Sequence, residues 1–231
     1  MPILTLVVPM SFFIHVPDYV LYEDEVILVV MKPAGLMVEP DRNGHPNLLQ
    51  QVKAYLRLNV PSNETVYAQH IHRLDRPVSG IVLFAKQRSV LKNLSEQFAE
   101  RKVKKYYQAL TAKSPGQMTG RLEHWHRKEK KKAVLYDHPV EYAEKALLEY
   151  SIAAINQRCY CWDIALHTGK YHQIRAQLAS VACPIIGDAL YGSDIPYQKD
   201  SIALHACKLV FQHPLTQEEI SIVSESKFLM A

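Results

Sequence analysis

The chain has 231 residues, of which 48% are hydrophobic and 22% are charged, as expected of a globular protein with a substantial core. Its four cysteines include no C-x-x-C pair, which excludes a small disulfide-stapled scaffold and favours reduced thiols in the cytoplasm. The net charge is only +4, but residues 61–135 carry 16 lysines and arginines against 6 acidic residues. Positive charge is therefore concentrated in one third of the chain.

The N-terminus, residues 1–14, is apolar but lacks the basic start and the small-residue cleavage site of a secretory signal. It is too short to cross a bilayer as a helix, and no other segment approaches 18 uncharged apolar residues, so we expect no membrane association. We expect an edge strand here. Translation from Met10 is the alternative, and residues 1–9 would then not be part of the protein.

Short strands and helices follow in the first half of the chain. A β-branched run at 26–30 predicts a buried strand, which ends at the turn-forming segment 32–35. Asn47 is placed to cap a helix with apolar residues at helical spacing from Leu48 to Leu56. Ile81–Ala85 is predicted as a core strand, Ser89 as the cap of a second helix, and 103–111 as a strand.

The second half is richer in strands. Residues 114–137 are predicted to form a loop and a hairpin, and strands are predicted at 147–155 and 158–166 around a tight turn. A helix is expected to start near Tyr171, with final strands at 202–211 and 220–223. Most connections are too short for parallel crossovers. The prediction is an α+β fold with a mixed, mostly antiparallel sheet, flanking helices and long loops.

Residues 72–86 carry the clearest chemical signal. Asp75 lies between Arg73 and Arg76, and we expect the two guanidinium groups to keep this carboxylate ionised. An ionised carboxylate at a turn before a core strand can serve as a nucleophile or a base. Arginines there suit a polyanionic substrate, because guanidinium binds phosphate in a bidentate fork. The alternative is a structural ion pair on a loop.

Two basic clusters, 101–105 and 127–132, are each accompanied by aromatic residues. Cations for phosphates beside rings for bases are typical of nucleic-acid binding, although basic runs are more often solvated surface. We predict that the second cluster contacts phosphates in a loop that closes on the nucleic acid, through four residues: Lys128, Lys130, Lys131 and Lys132.

Residues 166–175 contain a second polar group of residues, with His172, Gln173 and Arg175 in the first turn of the predicted helix. Arg175 could bind a phosphate there or pair with a carboxylate such as Asp75, and a polar helix end in solvent is the alternative. The two His-x-His pairs match no familiar zinc site, so no metal is expected. The signatures of ATP, dinucleotide and serine-hydrolase sites are also missing from the sequence.

Taken together, five segments resemble the RluA-type pseudouridine synthases, in the order found in that family. They are 30–40 (VMKPAGLMVEP), 72–80 (HRLDRPVSG), 105–110 (KYYQAL), 172–175 (HQIR) with 184–188 (PIIGD), and 204–206 (LHA) with 211–214 (FQHP). The resemblance implies one catalytic domain over residues 1–231, with residues 1–25 as an N-terminal extension. It also implies the pseudouridine synthase fold.

The implied activity is isomerisation of uridine to pseudouridine in structured ribosomal or transfer RNA, without metal or cofactor. Asp75 would be the nucleophile on a flipped uridine, attacking either the sugar or the base. Tyr107 would pack on the uracil and assist loss of the C5 proton, and Arg175 would pair with Asp75. Arg73 would fill the vacated stack, and the remaining predicted substrate-binding residues are His72, Arg76 and Lys105.

The sequence departs from the family pattern near these residues. Val78, Glu39 and Gln177 replace a common threonine and two common histidines, and Lys170-Tyr171 replaces a frequent Arg-Thr. Only about 25 residues precede Val26, too few for the S4-type RNA-binding domain that many relatives carry. We therefore expect the catalytic domain, acting as a monomer, to choose the target. The alternative function is an RNA-binding or RNA-folding protein that needs no catalysis.

Overall fold

The computed structural model describes residues 13–58 and 60–228, so the predicted N-terminal edge strand and the alternative start at Met10 lie outside the described residues. Three helices are α1 (Leu48–Arg57), α2 (Arg88–Ala99) and α3 (Gln173–Ser180). The strands of this part of the chain are β1 (Val20–Glu23), β2 (Ile27–Lys32), β3 (Gln69–His70), β4 (Ser79–Ala85), β5 (Lys104–Thr111), β6 (Thr119–Glu129), β7 (Lys132–Tyr136), β8 (Glu144–Asn156), β9 (Cys159–Leu166), β10 (Leu204–Gln212) and β11 (Glu219–Val223).

All of these strands belong to one sheet. Its order is β1-β2-β4-β10-β5-β9-β8-β6-β7, with β3 added to β4 and β11 added to β10. Strands β4 and β10 are parallel, and the other strand pairings between described residues are antiparallel. The predicted α+β class with a mixed, mostly antiparallel sheet is confirmed.

Helices cover both faces of the sheet because β2 and β4 are apolar on both sides. Leu28 and Val30 pack in one core with α1 and α3, whereas Ile27 and Val29 pack in a second core with α2. Successive residues of a strand point to opposite faces, so one uninterrupted apolar run serves both cores. The prediction of flanking helices is therefore confirmed.

Two local predictions need correction. Asn47 caps α1 as expected, with its side-chain oxygen accepting the Gln50 N–H at 3.0 Å. Helix α2, however, is preceded by Gln87 in an extended conformation, and Ser89 lies inside its first turn, because the helix starts almost directly after β4. The hairpin predicted within residues 114–137 is present as β6 and β7, but most of the expected loop is strand, because β6 pairs with β8 along eight residues and with β7 along five.

A close approach of strands at the sheet centre positions the predicted site. Gly80 has a φ of +127°, and a Cβ atom there would lie 2.4 Å from the backbone oxygen of Ala206. Ala206 in turn pairs with Tyr107 on β5. Since the segment 71–78 leads directly into β4, this glycine allows Asp75 to sit near Tyr107 across β10.

Candidate active site

Asp75 and Arg175, which are 100 residues apart in the sequence, form a direct ion pair. Arg175 Nη1 donates to Asp75 Oδ2 at 3.0 Å, while its Nε and Nη2 bind the two carboxylate oxygens of Asp188 at 2.7 and 2.8 Å. The Arg175 side chain is only 6% exposed and that of Asp188 only 1%. The guanidinium thus binds two carboxylates. Arg175 was predicted either to bind a phosphate or to pair with a carboxylate, and in the structure it pairs with carboxylates.

The ionic groups of this site strengthen one another. Burial alone would lower the pKa of Arg175, but hydrogen bonds and negative charge from Asp188, together with Asp75, raise it above its ordinary value. The group therefore stays a cation at any physiological pH. The family resemblance includes Asp188 in the segment 184–188 but gives it no role, because nothing local to this segment indicates a buried arginine partner.

Lys32, at the end of β2, is fully buried beneath Asp75. Its Nζ donates to the backbone oxygens of Leu36 at 2.7 Å, Pro33 at 3.0 Å and Arg76 at 3.3 Å. Burial lowers the pKa of Lys32 to about 7, with the charge of Asp75 opposing this shift and that of Arg76 adding to it. Lys32 thereby fastens the turn after β2 to the Asp75 segment.

The backbone of the Asp75 segment is held on two further sides. Gly35 N–H donates to the Arg76 oxygen at 2.8 Å, and Ile202 N–H donates to the Pro77 oxygen at 3.1 Å. Within the segment, Val78 N–H donates to the Asp75 oxygen at 3.0 Å. Asp75 therefore sits on a loop whose position is fixed by two separate parts of the chain, the turn after β2 and Ile202. Lys32 was missed as a site residue, although a lysine that ends a buried strand is a usable signal.

A cavity of about 90 Å³ opens beside Asp75. Its polar wall is formed by Arg73, Asp75, Tyr107, Lys170, His172 and Arg175, and its apolar wall includes Leu74, Val78, Leu166 and Leu204. A larger cavity of about 670 Å³, on the sheet face over β5, β8 and β9, is also lined by charged residues such as Glu149, Asp163 and Lys208. No two of the described residues that line it form an ion pair, however, whereas Asp75 and Arg175 do. Charged groups converging on an apolar wall make the smaller cavity the candidate active site.

Tyr107 is buried against this cavity. Burial, followed by the negative charge of Asp75, raises the pKa of Tyr107 well above its ordinary value. The phenol therefore keeps its proton at neutral pH. It is suited to packing and to donating a hydrogen bond, and it is poorly suited to removing a proton.

His172 was noted in the sequence only as a polar residue of a helical first turn, yet it approaches Asp75. Its Nε2 lies 3.5 Å from Asp75 Oδ2, and its Nδ1 lies 3.1 Å from the Tyr191 hydroxyl. Burial lowers the pKa of His172 to about 4, although Asp75 acts in the opposite direction. The residue precedes α3 in a left-handed conformation, with a φ of +52°, which is uncommon for a side chain of this size.

The hydrogen bonds and ion pairs to Asp75 fall on one of its two oxygens. Both Arg175 and His172 face Oδ2. Among the described residues, no hydrogen bond or ion pair involves Oδ1. The carboxylate is therefore oriented by one oxygen while the other has no bond to the protein.

Arg73 and Arg76 do not have the arrangement expected from their positions around Asp75. Arg73 lines the cavity, but its guanidinium forms an ion pair with Glu39. Arg76 Nε donates to the Gly35 oxygen at 3.0 Å, and its Nη2 lies 3.7 Å from Asp200. Both flanking arginines thus pair with carboxylates other than Asp75. The arginine that pairs with Asp75 is Arg175.

His72, Arg76 and Lys105 were predicted to bind substrate but do not line the cavity. His72 stacks on Phe98 of α2 with ring centroids 5.1 Å apart, and burial lowers the pKa of His72 to about 3. The Lys105 ammonium lies 6.0 Å from the centroid of the same Phe98 ring. His72 is thus packed against α2, whereas Lys105 also reaches the cavity edge, because a Cβ atom on the cavity-lining Gly169 would lie 3.2 Å from Lys105 Nζ.

The four lysines of the second basic cluster lie on the β6–β7 hairpin, and all are exposed. Within the described part of the chain none of them forms an ion pair, but Lys128 Nζ lies 4.3 Å from the ring centroid of Tyr171. Tyr171 stacks on His172 at 3.8 Å, and its backbone oxygen is bonded to His126 of β6 at 2.7 Å. The hairpin is therefore packed directly against the cavity rim.

Two features are missing from the described residues, 13–58 and 60–228. No cluster of three or more His, Cys, Asp or Glu side chains is arranged to hold a metal ion. No helix is both long and apolar enough to cross a membrane.

Comparisons with known proteins identify the family. Residues 26–180 match the family described as RNA pseudouridylate synthase. The uncharacterized RNA pseudouridine synthase YhcT of Bacillus subtilis is 31% identical over 92% of this chain and 70% of its own. Ribosomal large subunit pseudouridine synthase D of Zymomonas mobilis is 27% identical over 91% of this chain and 69% of its own.

A solved structure shares the fold. Human RNA Pseudouridylate Synthase Domain Containing 4 superimposes with a TM-score of 0.74 over 91% of this chain and 89% of its own, at 21% identity. The family match and the resemblance of the five segments agree with one another. The chain belongs to the RNA pseudouridylate synthase family, as an RluA-type member, and is an isomerase that converts uridine to pseudouridine in RNA.

Proposed function

We propose that Asp75 is the nucleophile of this isomerase, acting on a uridine flipped into the cavity beside it. The observation that carries the proposal is the Asp75–Arg175 ion pair, in which the guanidinium binds Oδ2 and Oδ1 remains without a bond to the described residues. A carboxylate that is oriented by a paired cation in this way is ready to attack an electrophilic carbon.

The reaction breaks the N1–C1′ bond of uridine and forms a C5–C1′ bond. The proton that leaves C5 is matched by the proton that N1 gains, so no redox partner or external group is required. Asp75 can begin this exchange by adding either to the sugar or to the uracil ring, and it is released when the new bond is complete. The chemistry needs no metal or cofactor, and a monomer that forms one catalytic domain is sufficient for it.

The cavity wall suits a uracil ring. Tyr107 supplies a flat aromatic face, and the leucines at 74, 166 and 204 supply apolar contacts. Taking a base out of a stack costs a few kcal/mol, which stacking and an inserted cation can offset. Arg73, exposed at the rim, is the residue we assign to the space that the flipped base leaves.

We further propose that the substrate is a structured ribosomal or transfer RNA. The name of the Zymomonas relative supports ribosomal RNA. The exposed lysines at 128 and 130–132 support a folded RNA whose phosphates lie close together on the β6–β7 hairpin. Transfer RNA remains a proposed substrate because the catalytic domain and this hairpin present a surface that a stem-loop can cover.

Pseudouridine mapping of total RNA from cells with and without the protein tests this proposal. We expect one or a few sites, in ribosomal or transfer RNA, to lose pseudouridine when the gene is deleted. The purified protein, in buffer with a chelator, should restore the modification in RNA from the deletion strain. Loss of sites in messenger RNA alone would contradict the proposed substrate. An unchanged map, with RNA binding intact, would favour an RNA-binding protein without catalysis.

A further inference from the structure

We propose that His172 is a positioning residue that, together with Arg175, holds Asp75 by Oδ2 so that Oδ1 is aimed at the uridine. The inference rests on the proposed role of Asp75 as nucleophile. It starts from three contacts of the imidazole: Asp75 on one nitrogen, Tyr191 on the other, and Tyr171 stacked on the ring face.

The hydrogen bonds assign the proton of the imidazole ring. Ala133 N–H of β7 donates to the Tyr191 hydroxyl oxygen at 2.8 Å. A carboxylate oxygen only accepts, so the nitrogen that faces Asp75 Oδ2 at 3.5 Å, Nε2, is the one suited to carry the ring proton. In that tautomer Nδ1 accepts from the Tyr191 hydroxyl, 3.1 Å away, whose hydrogen is free to point at it.

The surroundings of the ring hold this side chain in place. His172 adopts the left-handed region, with φ and ψ of 52° and 25°, which histidine and asparagine enter more readily than most residues. Its side chain is 10% exposed, because Tyr171 and Tyr191 enclose the ring.

Burial keeps the imidazole neutral at physiological pH, since it lowers the pKa of His172 to about 4. A neutral imidazole directs one N–H toward the carboxylate, 3.5 Å away, without cancelling its negative charge. Arg175 supplies the opposing charge, and His172 approaches Oδ2 from a second direction. Together the two side chains fix the rotation of the carboxylate about its Cβ–Cγ bond. Orientation of this kind is expected to change the chemical rate more than RNA affinity.

Asparagine and glutamine variants separate this role from a merely structural one. His172→Asn suits the left-handed backbone and leaves a polar atom near Tyr191, but it has no group at the position of Nε2. His172→Gln extends an amide N–H to that position. The readouts are the single-turnover rate of pseudouridine formation, the RNA dissociation constant and the melting temperature of each purified variant, measured on an RNA that the wild type modifies.

We expect the Asn variant to lose on the order of 10- to 100-fold in rate while its RNA affinity stays within about twofold, and the Gln variant to retain most of the rate. Control variants His167→Asn and His167→Gln change an exposed histidine outside the cavity and should keep the wild-type rate. A His172→Asn variant with the wild-type rate, equal losses in the Asn and Gln variants, or a defect confined to affinity would overturn the proposal. Activity of the wild type, measured first, tests the proposed function separately.

His172→Gly provides a second test, which applies even if glutamine strains the backbone at this position. Glycine accepts the left-handed conformation readily, and His172→Gly leaves room for a free imidazole. Added imidazole should raise the rate of this variant several-fold. N-methylimidazole can still accept a hydrogen bond from Tyr191 but has no N–H for Asp75, so it should not restore the rate. Equal recovery with both compounds would overturn the assignment.

Discussion

The Asp75 site and the β6–β7 hairpin are both strongly charged, but the charges of the site are largely buried and those of the hairpin are exposed to solvent. In the site, Arg175 is bound by two carboxylates and Lys32 by three backbone oxygens, all with little exposure to water. On the hairpin, the four lysines are exposed, and no described residue forms an ion pair with them. Fixed charges suit chemistry on one bound nucleotide, whereas free charges suit contact with many phosphates.

This contrast predicts two kinds of mutational effect. Changes in the buried network should reduce the rate and the free energy of unfolding, with little dependence on salt, because buried pairs are poorly screened. Changes on the hairpin should reduce affinity in a salt-dependent way and leave the chemical rate of bound RNA nearly unchanged. The following variants test the contrast from its strongest expected effect to its weakest.

Replacing Arg175 by methionine should have the largest effect. Asp75 loses its cationic partner, so the single-turnover rate at neutral pH should fall by on the order of 1000-fold. Asp188, 1% exposed, is also left without its partner, so the free energy of unfolding should fall by about 3–5 kcal/mol. RNA affinity should change by less than about threefold.

The double variant Arg175→Met/Asp188→Asn separates the two losses. It removes the uncompensated buried charge, so denaturant unfolding should show much of the stability restored while the rate stays low. A double variant that recovers activity together with stability would mean that Arg175 supports the fold and does not act on Asp75.

Lys32→Met should mainly affect stability. Three backbone oxygens lose their donor in the interior, so the free energy of unfolding should fall by about 2–4 kcal/mol. The folded protein binds the Lys32 proton less tightly than the unfolded chain does, since burial lowers the pKa of Lys32 from 10.5 to about 7. The wild-type free energy of unfolding should therefore rise between pH 7 and pH 10, and the Met variant should lack this contribution.

Lys53→Met is the matched control for this variant, because Lys53 is an exposed lysine of α1. It should unfold like the wild type and show the same pH dependence. A Lys32→Met variant as stable as the wild type would show that the turn after β2 and the Asp75 segment are held together without this lysine.

Changing Lys128, Lys130, Lys131 and Lys132 together to alanine should weaken RNA binding about 10-fold or more at moderate salt. Each phosphate contact that is lost should reduce the slope of log affinity against log salt by roughly 0.7–0.9. The rate at saturating RNA should remain within a few fold of wild type, because the Asp75 network is intact. Filter binding over a salt series, with single-turnover kinetics, measures both quantities.

The control for the hairpin variant removes the same charge elsewhere, from four exposed lysines: Lys53, Lys92, Lys199 and Lys227. It should keep the wild-type salt slope apart from a small general effect. Equal slopes for the hairpin variant and the wild type would mean that the hairpin lysines are solvated surface without RNA contact.

The smallest effect is expected for Glu39→Gln. Glu39 forms an ion pair with Arg73 and lies 3.4 Å from His70, at a partly exposed rim where ion pairs contribute little. Freeing Arg73 from this partner should increase RNA affinity about two- to fivefold, because one negative charge leaves the rim. Glu96→Gln on the exposed side of α2 removes the same charge and should change affinity less. A decrease in affinity for Glu39→Gln would show that Glu39 positions Arg73 for RNA.

The same contrast explains what could be predicted from the sequence. Asp75 and the hairpin lysines were found because their signals are local: a carboxylate inside a short basic segment, and a run of cations beside aromatic residues. His172 was not recognised as a partner of Asp75, because their contact depends on how segments about 100 residues apart meet. Asp188 was not recognised as a partner of Arg175, 13 residues before it, because their contact depends on how the chain turns back after α3. The prediction that Ser89 caps α2 was wrong for a related reason, because the position at which β4 ends determines where α2 begins.

The most direct test of the nucleophile is a comparison of the wild type with Asp75→Asn on one RNA, with the single-turnover rate and the dissociation constant measured in the same preparation. The amide keeps the size of the side chain and removes its nucleophilic charge. We predict a rate below detection with an affinity within a few fold of wild type. Measurable pseudouridine formation by the Asn variant would contradict the central role of Asp75.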